Sequence, residues 1–177
     1  LGLIGRMIQK GLGTRLYYVQ LGGFDTHSGQ ADEHAKLLGE LSAALGNFFS
    51  GLSAEHSERV AVMTYSEFGR RVRENGSRGT DHGSGSCMFV AGSQVAGGLV
   101  GKHPSLDDLT DGDVKYHTDF RRVYATLLDD WLEVDSKGVL DDAFEKLPLF
   151  DRKKKAPQKD GSPANGGPTP LPPTVKE

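Results

Sequence analysis

The sequence has a single cysteine, Cys87, which excludes an internal disulfide and a multi-cysteine zinc cage. It has no apolar run approaching the ~20 residues needed to cross a bilayer, so no membrane span is expected. It has no basic excess either: 21 Lys and Arg stand against 24 Asp and Glu, a net charge of −3. A domain built to grip nucleic acid is clearly basic, so no nucleic-acid partner is expected. Several motifs are also missing. There is no phosphate-binding P-loop, and Gly83 and Gly85 are followed by no third glycine in register. Ser66 lacks the Gly-x-Ser-x-Gly elbow of a nucleophile. Asp107, Asp111 and Gly112 look like part of a calcium loop, but Leu109 and Thr118 stand where ligands are required.

What is present suits one domain. A chain of 177 residues buries roughly 70% of its unfolded surface, and so needs no covalent staple. Of its 24 glycines, 21 fall within residues 1–150, which makes that part rich in unusual turns. The chain opens at Leu1 with no secretory leader pattern, and it reads as a fragment or processed chain lacking an amino-terminal part. Residues 151–177 hold six of the eight prolines and the basic run Arg152 to Lys155, with almost nothing to bury. They are expected to form a disordered tail. Residues 1–150 form the globular body, with 15 Lys and Arg against 21 Asp and Glu, a net −6.

Within the body, helix and strand patterns alternate. Leu3, Ile4, Met7 and Ile8 keep helical spacing until Gly11 and Gly13. Residues 15–21 (RLYYVQL) read as a strand covered on both faces. Leu37, Leu38, Leu41, Ala44, Leu45, Phe48, Phe49 and Leu52 predict a long helix, with Ser28 as its N-cap. Strands are expected at 59–65 and 87–91, with Cys87 buried in the latter, and a last helix from about Asp119 to Glu133 behind a Thr118 cap. This order indicates an α/β fold with an at least partly parallel sheet.

In such sheets, ligands bind beyond the carboxyl ends of the strands. Strand 15–21 runs into Asp25 and His27, strand 59–65 into Ser66 and Glu67, and a glycine-rich loop carries Asp81 and His82. Carboxylate oxygen with imidazole nitrogen is the donor set of zinc, manganese or iron, whereas oxygen alone suits calcium or magnesium. Asp25, His27, Asp81 and His82 are therefore the candidate metal ligands, against the plainer reading of turns and hydrogen-bonded loops. Glu67 is the alternative carboxylate. His34 faces the apolar side of the long helix, as a packed histidine or a second-rank ligand. His117 precedes the last helix beside Asp119 and reads more readily as part of a cap. Arg70 and Arg71 are placed to contact a substrate or an oxyanion.

The segments GGFDTHSGQ, VMTYSEFGRRVRENGSRGTDHG and TDFRRVYATLLDDWL strongly resemble an uncharacterised bacterial family, domain of unknown function fifteen-oh-one. That family looks like a branch of the alkaline phosphatase and sulfatase superfamily, and the resemblance covers about residues 1–150. It implies a three-layer α/β/α sandwich, of which this chain would be the carboxyl-terminal portion. It further implies a divalent metal (zinc, manganese or calcium) and hydrolysis of a phosphate or sulfate ester on a small molecule or polysaccharide. Asp25 with His27, and Asp81 with His82, are similar to the superfamily's paired ligands, and His117 to a later one. The superfamily nucleophile belongs to an amino-terminal half, so the activity is expected to be incomplete here. Family members are often exported, which implies a periplasmic location. The alternative is a non-catalytic scaffold used as a surface or binding module.

Overall fold

The protein is described by a computed structural model over residues 1–151. The tail expected over 151–177 lies, apart from Asp151, outside the described residues. The helical spacing at the start of the chain forms α1 (Gly2–Gln9), and the long apolar stripe forms α2 (Gln30–Ser50). Leu37 and Phe48 of α2 and Leu52 just beyond it are buried. Gly5 of α1 lies against Phe48 and Leu52, close enough that a Cβ there would make an ordinary 3.9 Å contact with the Phe48 ring. Leu38 is 45% exposed, so the buried stripe is narrower than its sequence pattern.

The start of α2 is held from outside the helix. Its N-cap is Gly29 rather than Ser28, at φ 52, a left-handed conformation that glycine adopts without strain. Gly29 N donates to Ser77 O at 3.0 Å and Gln30 N to Arg78 O at 2.9 Å. Tertiary bonds here satisfy the N-cap amide and the first helical amide, which have no partner inside the helix. A short helix, α3 (Ala54–Ser57), follows with Ser53 as its cap.

The strands are short: β1 (Val62–Met63), β2 (Gly69–Glu74), β3 (Thr80–Gly83), β4 (Val90–Ala91), β5 (Leu109–Thr110) and β6 (Asp113–Val114). They pair as β1 with β4, β2 with β3, and β5 with β6, and every pair is antiparallel. The described residues thus form a mixed α/β structure, and the parallel pairing expected from the order of elements is not what forms. Residues 15–21 join no ladder, and Leu16 and Tyr18 are each 73% exposed. An apolar run reports only strand propensity; a strand exists where a neighbour supplies ladder bonds. The would-be calcium loop is a tight hairpin. Asp111 and Gly112, at φ 51 and 86, make the turn whose twist suits antiparallel strands.

The last apolar stripe divides into α4 (Phe120–Thr126), a π-helical turn over Leu127–Leu132 and α5 (Ser136–Leu140). Val123 packs with Leu147 and Leu149 in a core that Met63, Met88, Val90 and Leu127 border. Thr126, fully buried, fixes this contact: its hydroxyl donates to Arg122 O at 2.7 Å and accepts from Leu147 N at 2.8 Å. Thr126→Val keeps the shape but strands the buried Leu147 N–H. A loss of about 1–3 kcal/mol in urea unfolding is expected, with Thr126→Ser losing less.

The cap of α4 is Asp119 rather than Thr118. Its carboxylate accepts from Arg121 N at 2.9 Å, and the bonds from the Arg121 side chain and then its backbone hold the Asp119 pKa below the ordinary value. A depressed folded-state pKa gives stability that is full above the ordinary carboxylate range and fades as pH falls through the folded value. Asp119→Ala should cost about 1 kcal/mol at neutral pH. The part of that difference that comes from the carboxylate charge should shrink below about pH 4 and be lost once the carboxyl is protonated, as read by thermal unfolding across pH.

Candidate metal centre

The loop between residues 22 and 29 has no regular structure, so its shape comes from what holds it. Gly23, at φ 95, turns the chain over α2, where an added Cβ would meet Leu37 at 3.2 Å. Arg70 on β2 then fastens the loop to β3. Its guanidinium donates to Phe24 O at 2.5 Å, to Thr26 Oγ1 at 3.3 Å and to Thr80 O at 2.6 Å. Its charge also lies 5.1 Å from the centre of the Phe68 ring. At Gly79 the two pieces touch: a Cβ there would lie 2.3 Å from the carbonyl carbon and oxygen of His27. Only glycine allows the backbones to approach so closely.

This packing brings Asp25 and His27 of the loop against His82 of β3. Asp25 Oδ1 lies 2.7 Å from His82 Nε2 and 2.9 Å from His27 Nε2, and the two Nε2 atoms are 3.1 Å apart. The Phe68 ring stacks on His82 at 3.8 Å and 8°, fixing the plane of that imidazole. The hydrogen bond from His82 is the main influence that lowers the Asp25 pKa, opposed by desolvation and aided by the charges of both histidines. The carboxylate therefore stays anionic.

The donor set fits a divalent cation. One carboxylate oxygen and two imidazole nitrogens lie within 4.8 Å of one another, all on exposed residues. A tetrahedral ion with bonds of ~2.0–2.2 Å spaces its ligand atoms by roughly 3.3–3.6 Å, so the three donors, now 2.7, 2.9 and 3.1 Å apart, would have to open by about 0.2–0.9 Å. The two Nε2 atoms can share one N–H in a hydrogen bond at 3.1 Å, and His82 Nε2 can donate to Asp25 Oδ1 at 2.7 Å.

The other candidates lie around this cluster. Asp81 stands on the far side of His27, with Oδ1 3.8 Å from Nδ1, and is not one of the three clustered donors. Glu67 is exposed and belongs to no donor cluster among the described residues. Arg70 spends its guanidinium on the loop. Arg71 lines a recess of about 290 Å³ with Arg73, Glu74, Asn75 and Asp81, and its Nε is 3.9 Å from Asp113 Oδ1. His34 meets Phe24 edge-on at 6.0 Å and lines a separate cleft of about 650 Å³ with Asp32, Leu38 and Arg78. His117 is exposed and outside the cluster. Cys87, expected to be buried, is exposed.

Sequence reasoning missed the β2–β3 hairpin, although Asn75-Gly76 is a strong turn pair and was available to announce it. It therefore missed Asn75. Asn75 Oδ1 accepts from Ser77 N at 2.9 Å and from Gly79 N at 3.1 Å, which shapes the turn.

A family model described as "Protein of unknown function (DUF1501)" matches residues 2–143, and the chain belongs to that family. No curated protein matches the chain. No solved structure matches it.

Proposed function

We propose, for this member of the DUF1501 family, that Asp25, His27 and His82 hold a divalent cation, zinc or manganese before calcium, in a centre that hydrolyses phosphate or sulfate esters. The observation that carries the reading is the convergence of one carboxylate and two imidazoles within 4.8 Å. Two nitrogens in a set of three favour zinc or manganese over calcium, which prefers oxygen alone. The ester class rests on the likeness to alkaline phosphatases and sulfatases, as do the three-layer sandwich and an exported location. A divalent cation in such a centre polarises the oxygen of the ester.

The chain's own residues would divide the remaining work. Asp25 supplies the anionic ligand, and Phe68 holds His82 in plane. Arg71 is the arginine left to meet the anionic part of a small-molecule or polysaccharide ester, because Arg70 is already bonded to three acceptors. A second reading, a non-catalytic surface or binding module, draws on the exposed apolar run at Leu16, Tyr18 and Val19.

Calorimetric titration with zinc, manganese and calcium separates the two. The metal reading expects one zinc or manganese ion per chain, and metal-dependent hydrolysis of aryl phosphate or aryl sulfate that is lost in a His82→Ala variant. Absence of binding at millimolar metal would leave the scaffold reading.

A further inference from the structure

We infer that Asn75 is the positioning residue of the metal centre: it ties down the His27 backbone and holds the Asp81 carboxylate on the side of the His27 ring that faces away from the cation. The inference rests on the metal reading of Asp25, His27 and His82.

The orientation of the Asn75 carboxamide is fixed by its neighbours. Ser77 N and Gly79 N can only donate, so the atom they meet at 2.9 and 3.1 Å is the oxygen. The nitrogen on the other side then faces two acceptors, His27 O at 3.0 Å and Asp81 Oδ1 at 3.3 Å. All four contacts agree with one orientation and conflict with its reverse. The Asn75 backbone closes the same turn, with its N donating to Gly79 O at 2.8 Å. One half-buried side chain therefore builds the turn with its oxygen and holds the site with its nitrogen.

This accounts for the place of Asp81. The sequence offers it as a ligand, yet its Oδ1 is held by Asn75 and lies 3.8 Å from His27 Nδ1, on the side opposite the Nε2 that meets Asp25. At 3.8 Å this is an ion-pair distance rather than a hydrogen bond, and it leaves Nε2 on the side that meets Asp25. Outer groups that orient a metal-bound histidine are typically worth about 10–100-fold in affinity.

Two substitutions separate positioning from folding. Asn75→Asp keeps an oxygen for Ser77 and Gly79 but replaces the donor with an acceptor facing His27 O and Asp81. Asp81→Asn keeps an oxygen for Asn75 but removes the charge beside Nδ1. Each should weaken zinc binding about 10–100-fold, while the melting temperature of the metal-free protein moves by only a few degrees. In the zinc-loaded wild type, nitrogen NMR should show His27 coordinated through Nε2 and protonated at Nδ1. In the metal-free protein, the Asn75 carboxamide protons should exchange slowly. Equal zinc affinity in wild type and both variants, or coordination through Nδ1, would overturn the inference while the metal centre stands. A wild type that binds no zinc, with the Asn75 protons still protected, would overturn the metal reading and with it any role of Asn75 towards a cation.

Discussion

His82→Ala should reduce zinc affinity by more than the ~10–100-fold typical of losing an outer partner, and His27→Ala should do the same. Each removes one of the three donors that cluster among the described residues, leaving a carboxylate and a single imidazole. The fold should tolerate both changes. The His27 and His82 side chains are 47% and 45% exposed, so neither fills the core around Val123, Leu147 and Leu149. The largest packing loss is the stack of His82 on Phe68, a contact of about 1 kcal/mol. Calorimetry with zinc, paired with thermal unfolding of the metal-free variants, checks both halves. A variant that binds zinc as tightly as wild type would remove that histidine from the centre.

Gly79→Ala is expected to damage the site and the fold together. The added Cβ would lie 2.3 Å from the carbonyl carbon and oxygen of His27 and 2.7 Å from Ser28 N. These are backbone atoms, with no flexible end to swing aside. Either the 25–28 loop lifts away or the turn after β2 opens, at a cost of about 1–3 kcal/mol for an overpacked contact. For a domain of this size that lowers the melting temperature by roughly 2–12 °C. Because the displaced group is the His27 backbone, zinc affinity should fall at least as far as in Asn75→Asp. Gly76→Ala, in the same turn, is the control: its Cβ would meet nothing within 4 Å, and little change is expected. Similar melting temperatures for the two variants would contradict the close contact.

The residues of the candidate centre were more legible in the sequence than the scaffold that assembles them. Asp25, His27, Asp81 and His82 stood out because their side chains carry metal chemistry whatever the backbone does, and the fold clusters three of the four donors while Asp81 stands behind His27. The helices were legible too, since the spacing of Leu37, Leu41, Leu45 and Phe48 reports one inward face, with Leu37 and Phe48 buried and Leu41 and Leu45 half-buried. Strand pairing was not, because the apolar run at 15–21 specifies no partner and the described ladders are local hairpins or two-residue pairs. The turn pairs Asn75-Gly76 and Asp111-Gly112 announced those hairpins, but polar, glycine-rich flanks made them read as loops. The contacts of Arg70 and Asp81 were hidden for a further reason. A guanidinium or carboxylate reads the same in sequence whether it meets a substrate or holds a loop, and only the geometry places Arg70 on Phe24 O and Asp81 behind His27.

X-ray absorption at the zinc edge of the loaded protein tests the central claim most directly. The account predicts one ion per chain whose inner shell of nitrogen and oxygen at ~2.0–2.2 Å contains two imidazoles, falling to one in His82→Ala. A zinc shell without imidazole scattering, or one unchanged by His82→Ala, would contradict it.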